Sequence, residues 1–532
     1  MTPFLFGGEM PHWTDRSPVR GEALRLLAAS AHGHTLIVGP HHPELIDAVG
    51  SRQVTVLVRG VPDAEALAVR YAGRPGIEIR CGSLSKLAAV PAYDTVVALD
   101  GLDRTGSTET PDLTWAAGLA LLLAVLRPGG RLLLGCANPA GLHRLYAAAR
   151  EPGDADWAAP AGDDPTLPVG LAGLREHLAS AGLTLLQGYA AYPSPQAPAV
   201  LLSEAALADP DLHGLLTSAL RRAGRPPGPL LADPAPLAAD LLRHGLVAAL
   251  APAWLVAAAL PGQNHPPPPG AVPAPAGGDL VSLPEAVPAP AGGDPVSLPE
   301  AVLAPAGGDP VSLPEAVLAP AGGDLVSLRR TPHGWTLGDT AEPAPAGRCL
   351  HDVLLSAARA GDLPRMRALL AAWQSGAAAA VTADAILLTG DGTLRPLATP
   401  TDPAEALRRF ASALHDEGLA HRWPPEGSAE LLAAMAGVEI GPDPAARPGP
   451  GTFRELSAAH DRLARELAEA RAQIEWYERS AVTMRAELSR AHRVIAVLRA
   501  TTPGRAATAV LGGVRGGRRL ARTVLTRLRS IT

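Results

Sequence analysis

The apolar positions of residues 18–261 fall into short continuous runs, and helical segments separate these runs. Short apolar runs bounded by turn residues predict buried strands. The predicted strands are Thr35–Val38, Val54–Val58, Ile77–Arg80, Thr95–Leu99 and Arg131–Cys136. The predicted helices are Arg20–Ala31, Asp63–Tyr71 and Leu113–Leu126. This alternation is typical of an α/β domain with a doubly wound parallel sheet that is covered on both faces.

The pattern breaks over residues 262–330, where a 15-residue unit occurs four times. The copies begin at Ala271, Ala286, Ala301 and Ala316, and each carries proline and a Gly-Gly pair. Such a unit buries too little apolar surface to offset the entropy that is lost on ordering. We therefore predict a disordered, extended linker; a recognition motif is the alternative.

Residues 331–447 carry amphipathic helical patterns, the first two over Cys349–Leu355 and Asp362–Leu370. A strand pair is predicted over Ala383–Gly392, around the turn Gly390-Asp391-Gly392. We expect a small, mainly α accessory domain, and no catalytic residue is assigned to it.

Residues 451–500 show a regular heptad spacing of apolar positions. The seam consists of Leu456, His460, Leu463, Leu467, Ala470, Ile474, Tyr477, Ala481, Met484, Leu488, Ala491, Ile495 and Leu498. An apolar repeat of this regularity predicts a coiled coil, with a single solvated helix as the alternative. Because every copy of the chain carries the same seam, we expect a homodimer.

Residues 501–532 form an arginine-rich tail without acidic residues. Its basic residues are Arg505, Arg515, Arg518, Arg519, Arg522, Arg527 and Arg529. Leucine and valine alternate with them, which is typical of an amphipathic helix on an anionic membrane surface. Nucleic acid is the less favoured partner because the aromatic platforms for single strands are missing. A solvated tail is the third interpretation.

Composition adds three constraints. The 532 residues are 47% hydrophobic and 3% aromatic, so the cores are built mainly from Ala, Leu and Val. Three cysteines argue against a disulfide framework and fit a reducing compartment. The net charge of −6 excludes a nucleic-acid binder by bulk electrostatics.

Lys86 is the single lysine among 46 basic residues, a bias typical of a GC-rich genome such as an actinomycete's. The first residues lack a basic start followed by a long apolar run. We therefore expect a cytoplasmic protein, which the basic tail would place at the inner face of the membrane.

Three segments resemble the class I S-adenosylmethionine-dependent methyltransferases: Thr35–Gly39, Tyr93–Asp100 and Leu126–Leu134. Asn138–Leu145 further resembles a segment of methyltransferase-like proteins encoded with surface-glycan genes, as does His421-Arg-Trp-Pro424. The resemblance implies a methyltransferase-like, Rossmann-like sheet and S-adenosylmethionine as cofactor. It further implies strands at Leu183–Tyr189 and Ala199–Ser203 and a late strand, Trp254–Ala257, that completes the sheet. It also implies a sugar hydroxyl of a surface glycan, or of its precursor, as methyl acceptor.

The chain departs from the family pattern at three positions that face the cofactor. Gly39 is followed by Pro-His-His-Pro in place of an open glycine loop, and proline removes N–H donors. The second strand ends at Arg59, whose guanidinium cannot accept hydrogen bonds from ribose hydroxyls. Gly82-Ser83 stands where the family often has an aspartate near the adenine.

The resemblance implies cofactor contacts from residues at the ends of four strands. They are Gly39, Pro40, Arg59, Ser83, Leu84 and Leu99. Asp100 and Asp103 would then face the substrate, and one of these carboxylates would act as general base. Loop solvation with an Asp–Arg104 pair is the alternative for both aspartates.

Smaller candidates have structural alternatives. Arg59 could bind a phosphate or carboxylate, or be a plain surface residue. His41 and His42 are predicted in an exposed loop, and no metal site is expected there because no third ligand has a suitable spacing. Cys81 and Cys136 are predicted core residues.

Two functions follow. The first is a methyltransferase in surface-glycan biosynthesis. The second is a catalytically silent scaffold with a methyltransferase fold, which assembles partners through its coiled coil and basic tail.

Overall fold

The computed structural model describes residues 2–108, 110, 113–146, 164–224, 230–262, 313–318, 325–338, 342–423 and 427–441. Scattered positions between 457 and 496 are also described. The chain divides into two units, Met1–Ala446 and Arg447–Thr532, and each is described by itself.

Strands of the first unit form one large and one small sheet. In chain order the strands are β1 (Phe4–Leu5), β2 (His34–Val38), β3 (Gln53–Val58), β4 (Ile77–Cys81), β5 (Tyr93–Ala98), β6 (Leu126–Ala137), β7 (Thr184–Tyr192), β8 (Val200–Leu202), β9 (Ala253–Ala259), β10 (Ala316–Leu318), β11 (Val326–Thr331), β12 (Gly334–Leu337), β13 (Arg348–Cys349), β14 (Ile386–Leu388) and β15 (Leu394–Pro396).

Helices cover the large sheet and build most of the small domain. They are α1 (Glu22–Ala29), α2 (Pro43–Ala48), α3 (Val61–Arg70), α4 (Trp115–Val125), α5 (His143–Tyr146), α6 (Gly170–Ser180), α7 (Glu204–Leu207), α8 (His213–Arg221), α9 (Pro234–Arg243), α10 (Leu350–Ala360), α11 (Leu363–Ser375), α12 (Pro403–Asp416) and α13 (Ser428–Ala436).

The large sheet has the order β1-β4-β3-β2-β5-β6-β9-β7-β8-β10-β11-β12. Strands β1 to β6 pair in parallel, whereas β9 lies between β6 and β7 and is antiparallel to both. This arrangement confirms the predicted α/β class, but the sheet is mixed, since β7 to β12 pair in antiparallel fashion. The late strand predicted around Trp254 is β9; it lies inside the sheet and does not complete it, because β10 to β12 extend the sheet beyond β8.

The sheet is buried on both faces because its strands are apolar at successive positions. In β2, Ile37 faces the layer of α1, α2 and α3, whereas Leu36 and Val38 face the layer that contains α4, α6, α8 and α9. Cys81 and Cys136 are buried thiols, as predicted. The alternation of core contacts along each strand explains why the runs are continuously hydrophobic.

The predicted linker range 262–330 is wrong at its carboxyl end. The fourth repeat copy, residues 316–330, supplies β10 and all of β11 except its last residue, and β10 pairs with β8. Tyr189 Oη donates to the Pro314 carbonyl at 2.6 Å. The Glu315 carboxylate accepts from Gln187 Nε2 and Ser203 Oγ, each at 2.8 Å. These polar contacts anchor a strand whose three residues are fully buried. Residues 263–312, which include the first two copies and most of the third, lie outside the described residues.

The predicted domain bounds also change at two other points. Residues 2–17 precede the predicted start at residue 18, yet β1 pairs with β4 in the same sheet. Strands β11 and β12 extend the large sheet, so residues 331–337 do not belong to the small domain.

The small domain consists of α10 to α13 and the sheet β13-β14-β15. Its predicted helices are confirmed, and so is the turn at Gly390–Gly392, which joins β14 to β15. It packs closely on α8, where a Cβ at Gly214 would lie 2.0 Å from the Gly347 carbonyl oxygen.

In the second unit, the described positions among residues 457–496 are helical, including the run 467–474. Apolar seam residues there are exposed, among them Leu467 (52%), Ile474 (57%) and Leu488 (58%). The arginine-rich tail, residues 501–532, lies outside the described residues. Within the described ranges, every helix is too short or too polar to cross a bilayer.

We expect Glu315→Ala to lower the free energy of unfolding of the first unit by about 2 kcal/mol, because the buried Ser203 and the partly buried Gln187 lose a charged acceptor. Chemical unfolding followed by tryptophan fluorescence measures this loss. Glu300→Ala is the matched control, since residues 296–303 have the same sequence as residues 311–318. An equal loss from both variants would contradict the assignment of β10 to residues 316–318.

Candidate cofactor edge of the sheet

The predicted cofactor residues meet at one edge of the large sheet. Gly39 follows β2, Arg59 follows β3, Ser83 follows β4 and Leu99 follows β5, and these strands are neighbours in the sheet. The carboxyl ends of parallel strands are where doubly wound folds bind their ligands. The topology therefore brings the predicted residues together.

The amino-terminal segment, residues 2–20, lies across this edge, and we call it the strap. Beyond β1, the Ser83 amide donates to the Gly7 carbonyl at 3.1 Å. The Met10 amide donates to the Arg59 carbonyl at 2.8 Å, and the Val19 amide donates to the Pro40 carbonyl at 2.9 Å. The strap thus bonds in turn to the ends of β4, β3 and β2.

Two glycines allow the strap to approach this closely. A Cβ at Gly60 would lie 2.3 Å from the Trp13 carbonyl oxygen, and one at Gly82 would lie 2.6 Å from the Gly7 carbonyl oxygen. Gly82 also has a φ of +155°, which side-chain-bearing residues rarely adopt. These glycines serve contact with the chain itself, not with a nucleoside.

Arg59 is held in a buried ion pair with the strap. Its Nη2 and Nε donate to the two carboxylate oxygens of Asp15 at 2.6 and 3.0 Å. Its guanidinium lies 5.6 Å from the ring centroid of Trp13, whose Nε1 also donates to Asp15. The Asp15 side chain is 3% exposed. Neither the ligand-binding nor the surface interpretation of Arg59 describes this arrangement.

Asp63, at the start of α3, is hydrogen-bonded to Asp15. Its Oδ2 accepts from the Asp15 amide at 2.9 Å. Burial raises the pKa of Asp63 and the Asp15 charge adds to this effect, whereas the amide hydrogen bond and Arg59 oppose it. The strap is therefore fixed to both the end of β3 and the start of α3.

His41 closes the loop that follows β2, because its ring is hydrogen-bonded to backbone groups of that loop and of the residue after β5. It is 4% exposed, so the predicted exposed loop is wrong for this residue. Its Nδ1 donates to the Gly39 carbonyl at 3.1 Å, and its Nε2 accepts from the Leu99 amide at 3.2 Å. Burial lowers the pKa of His41 to about 4, so the ring is neutral in this arrangement. His42 caps the start of α2.

Asp100 is paired with Arg104, as in the second interpretation, but its side chain is only 6% exposed, so the loop solvation expected with that pair is wrong for Asp100. Arg104 Nε donates to Asp100 Oδ2 at 2.8 Å, and Nη2 contacts Oδ1. Arg104 also donates to the strap carbonyls of Arg16 and Ser17. Burial raises the pKa of Asp100 to about 6 despite these bonds. Asp103 is exposed. The two predicted catalytic carboxylates therefore have different environments.

The backbone groups expected to bind the cofactor are already hydrogen-bonded within the chain. The Ser83, Leu84 and Leu99 amides donate to Gly7, Thr105 and His41 respectively. All three donor residues are at most 2% exposed. With Arg59 also paired, the residues present do not fit S-adenosylmethionine in this conformation. The contacts between residues 7–19 and the strand ends could not be found from sequence, since no spacing or motif connects them.

No protein-family model and no curated protein sequence matches this chain. Solved structures are similar to part of it. N-methyltransferase NodS from Bradyrhizobium japonicum WM9 is 14% identical; the match covers 45% of this chain and 93% of NodS, with a TM-score of 0.25. A methyltransferase from Mesorhizobium loti, described as S-adenosylmethionine-dependent, is 16% identical over 44% and 95% of the two chains, with a TM-score of 0.25. The [4+2]-cyclase SpnF is 18% identical over 49% and 88%, with a TM-score of 0.26.

The buried neutral His41 makes the first unit sensitive to acid. Its pKa is about 4 when folded and 6.5 when unfolded, so between these values the unfolded chain binds a proton that the folded chain does not. Near pH 5 this lowers the free energy of unfolding by about 1.4 kcal/mol for each unit of decreasing pH. His41→Gln should remove this part of the slope between pH 7 and 4.5 in urea unfolding.

The control is His244→Gln, which alters an exposed histidine. An unchanged pH slope in His41→Gln, equal to that of the control, would show that His41 does not titrate as a buried group.

Proposed function

We propose that this protein is a scaffold with a methyltransferase fold that does not transfer methyl groups, because its own strap occupies the cofactor edge and because the end of β3 lacks the acidic residue that would hold the ribose. The observation that carries the proposal is the Asp15–Arg59 ion pair at the end of β3. An acidic side chain at this strand end would accept the ribose hydroxyls. Here the strand end carries a cation, and its partner carboxylate belongs to the strap.

Opening this edge is energetically costly. A nucleoside that enters this edge must first displace the strap, so its apparent affinity is reduced by the free energy of that opening. The Asp15–Arg59 pair contributes to this free energy, because the Asp15 side chain is only 3% exposed. The strap hydrogen bonds at Ser83 and Pro40 add to this barrier. Because no acidic residue at the end of β3 accepts its ribose hydroxyls, S-adenosylmethionine would gain little free energy to offset the cost of displacing the strap.

Assembly is the function that the remaining features favour. The described seam residues of the heptad segment expose much of their apolar surface, Met484 to 63%. Association of two such helices would bury these residues in a coiled coil. We include a homodimer in the proposal, and an anionic membrane surface as the partner of the arginine-rich tail. The link to surface-glycan assembly rests on the resemblance of Asn138–Leu145.

A latent methyltransferase is the second candidate, and Asp100 favours it. A carboxyl group whose pKa is raised to about 6 has the basicity that a general base for a sugar hydroxyl needs. In the described conformation both of its oxygens contact Arg104, which also holds the strap. This second function therefore requires displacement of the strap.

Calorimetric titration with S-adenosylmethionine and S-adenosylhomocysteine distinguishes the two functions. The variant that releases the strap is Asp15→Ala combined with Arg59→Ala, which leaves no unpaired charge. We expect no saturable heat at millimolar ligand for the natural sequence or the variant. Light scattering of the same full-length sample should give twice the monomer mass of 54.5 kDa.

The control variant, Asp47→Ala combined with Arg70→Ala, removes an exposed ion pair of 2.9 Å. Binding by the strap variant alone would establish the latent enzyme in place of the scaffold. Saturable binding by the natural sequence would contradict the occupied edge, and a monomer at tens of micromolar would contradict the dimer.

A further inference from the structure

A second candidate site lies away from the cofactor edge. It is a cavity of about 240 Å³ between α8, the strands β10 to β12 and the residues at β15, and we call it the α8 cavity. Because a protein cavity of about 150 Å³ holds benzene, the α8 cavity has room for a ring that carries a polar group. Its lining is mostly apolar, which is typical of small-molecule sites, and includes Leu215, Leu318, Val326, Leu337, Pro345 and Leu397.

Three charged residues line the α8 cavity in the described part of the chain: Arg222, Glu342 and Arg395. Arg395 Nη2 contacts Glu342 Oε1, and these two side chains are 41% and 54% exposed. They neutralise each other at the solvent side of the cavity. The lining therefore leaves Arg222 as a cation without a carboxylate partner of its own there.

The guanidinium of Arg222 is available to a ligand. The residue is half-buried, and its side chain makes no ion pair or hydrogen bond with another residue that the structure describes. Burial lowers the pKa of Arg222, yet a guanidinium stays protonated in proteins. A charge that is withdrawn from water without a partner is unfavourable, and an anion that accepts its N–H bonds offsets this loss.

Asp384 limits the charge of that anion. Its carboxylate attracts Arg222 and so opposes the lowering of the arginine pKa, but the two side chains form no ion pair. Oδ1 of Asp384 is buried without a hydrogen-bond partner among the described residues, and Asp384 is not on the lining of the α8 cavity. Cys349 also faces Arg222, but burial raises its pKa to about 12, so this thiol is neutral. With Arg222 partly compensated, a single negative charge is favoured over a dianion such as a phosphate monoester.

We infer that the α8 cavity binds a small monocarboxylate with an apolar ring or chain. The carboxylate would accept hydrogen bonds from Arg222, whose planar guanidinium matches two carboxylate oxygens. The apolar part would contact the leucine and valine side chains of the lining. The inference is independent of whether the cofactor edge binds a nucleoside, because the two sites share no residue.

The test uses cyclohexanecarboxylate as probe, with calorimetry on the full-length chain. Its matched controls are cyclohexanecarboxamide, which has the same shape without the charge, and aminomethylcyclohexane, which reverses the charge. We expect saturable binding of the carboxylate and at least tenfold weaker binding of both controls. Equal binding of the amide or the amine, or no saturable binding of the carboxylate at millimolar concentration, would overturn the inference.

Variants place the bound carboxylate. Arg222→Met keeps much of the side-chain length and should weaken carboxylate binding at least tenfold. Arg365→Met, at an exposed position of α11, is the control and should bind like the natural sequence. Undiminished binding in Arg222→Met would overturn the inference. Should this variant fail to fold, a ligand-induced shift of the Val326 methyl resonances in the natural sequence decides: its presence supports the site, and its absence overturns it.

A third variant tests the part of Asp384. Asp384→Asn removes a negative charge near Arg222 and keeps the backbone carbonyl that accepts from Ser218 at 2.5 Å. We expect it to bind cyclohexanecarboxylate several times more tightly than the natural sequence does, because the ligand anion no longer meets a like charge. Weaker binding in this variant would contradict an anion held by Arg222.

Discussion

The buried ion pair between Asp15 and Arg59 is the constraint on which the cofactor edge depends. It links the strap to the end of β3, and Trp13 and Asp63 complete the contact. Once Arg59 stands where a ribose-binding carboxylate is expected, its charge needs a partner in a site that excludes water. Asp15 provides this partner, and the strap closes the edge as a consequence.

The sequence was sufficient for elements with strong local signals. Continuous apolar strands, the helices α1, α3 and α4 and the turn at Gly390–Gly392 were predictable, whereas α2 and α6 to α9 were not predicted. The Asp100–Arg104 pair was one of two alternatives for this aspartate. Local patterns could not reveal the strap, because Asp15 and Arg59 are 44 residues apart and either charge alone is typical of a surface. They could not reveal β10 either, since residues 316–318 have the same sequence as residues 301–303. What fixes β10 as a strand is the pair of hydrogen bonds that Tyr189 and Ser203 donate to the residues just before it.

The strap and β10 could not be predicted for the same physical reason. Segments with weak intrinsic structure become ordered where a preformed sheet offers them hydrogen bonds and apolar contacts, as with the strap over β2–β4 and β10 beside β8. In each case a polar anchor, Asp15 or Glu315, fixes the position. The strap thus covers the edge that the sequence assigns to a cofactor, and β10 covers the edge of β8 that the sequence leaves open.

The most direct test of this account is hydrogen–deuterium exchange at the backbone amides of Ser83, Leu84 and Leu99 in the full-length protein. The Ser83 amide donates to Gly7 of the strap, and the Leu84 and Leu99 amides donate to Thr105 and His41. All three amides should therefore exchange slowly without any ligand. Millimolar S-adenosylhomocysteine should leave their rates unchanged. Rapid exchange in the free protein, followed by protection when the nucleoside is added, would show an open cofactor site and contradict the account.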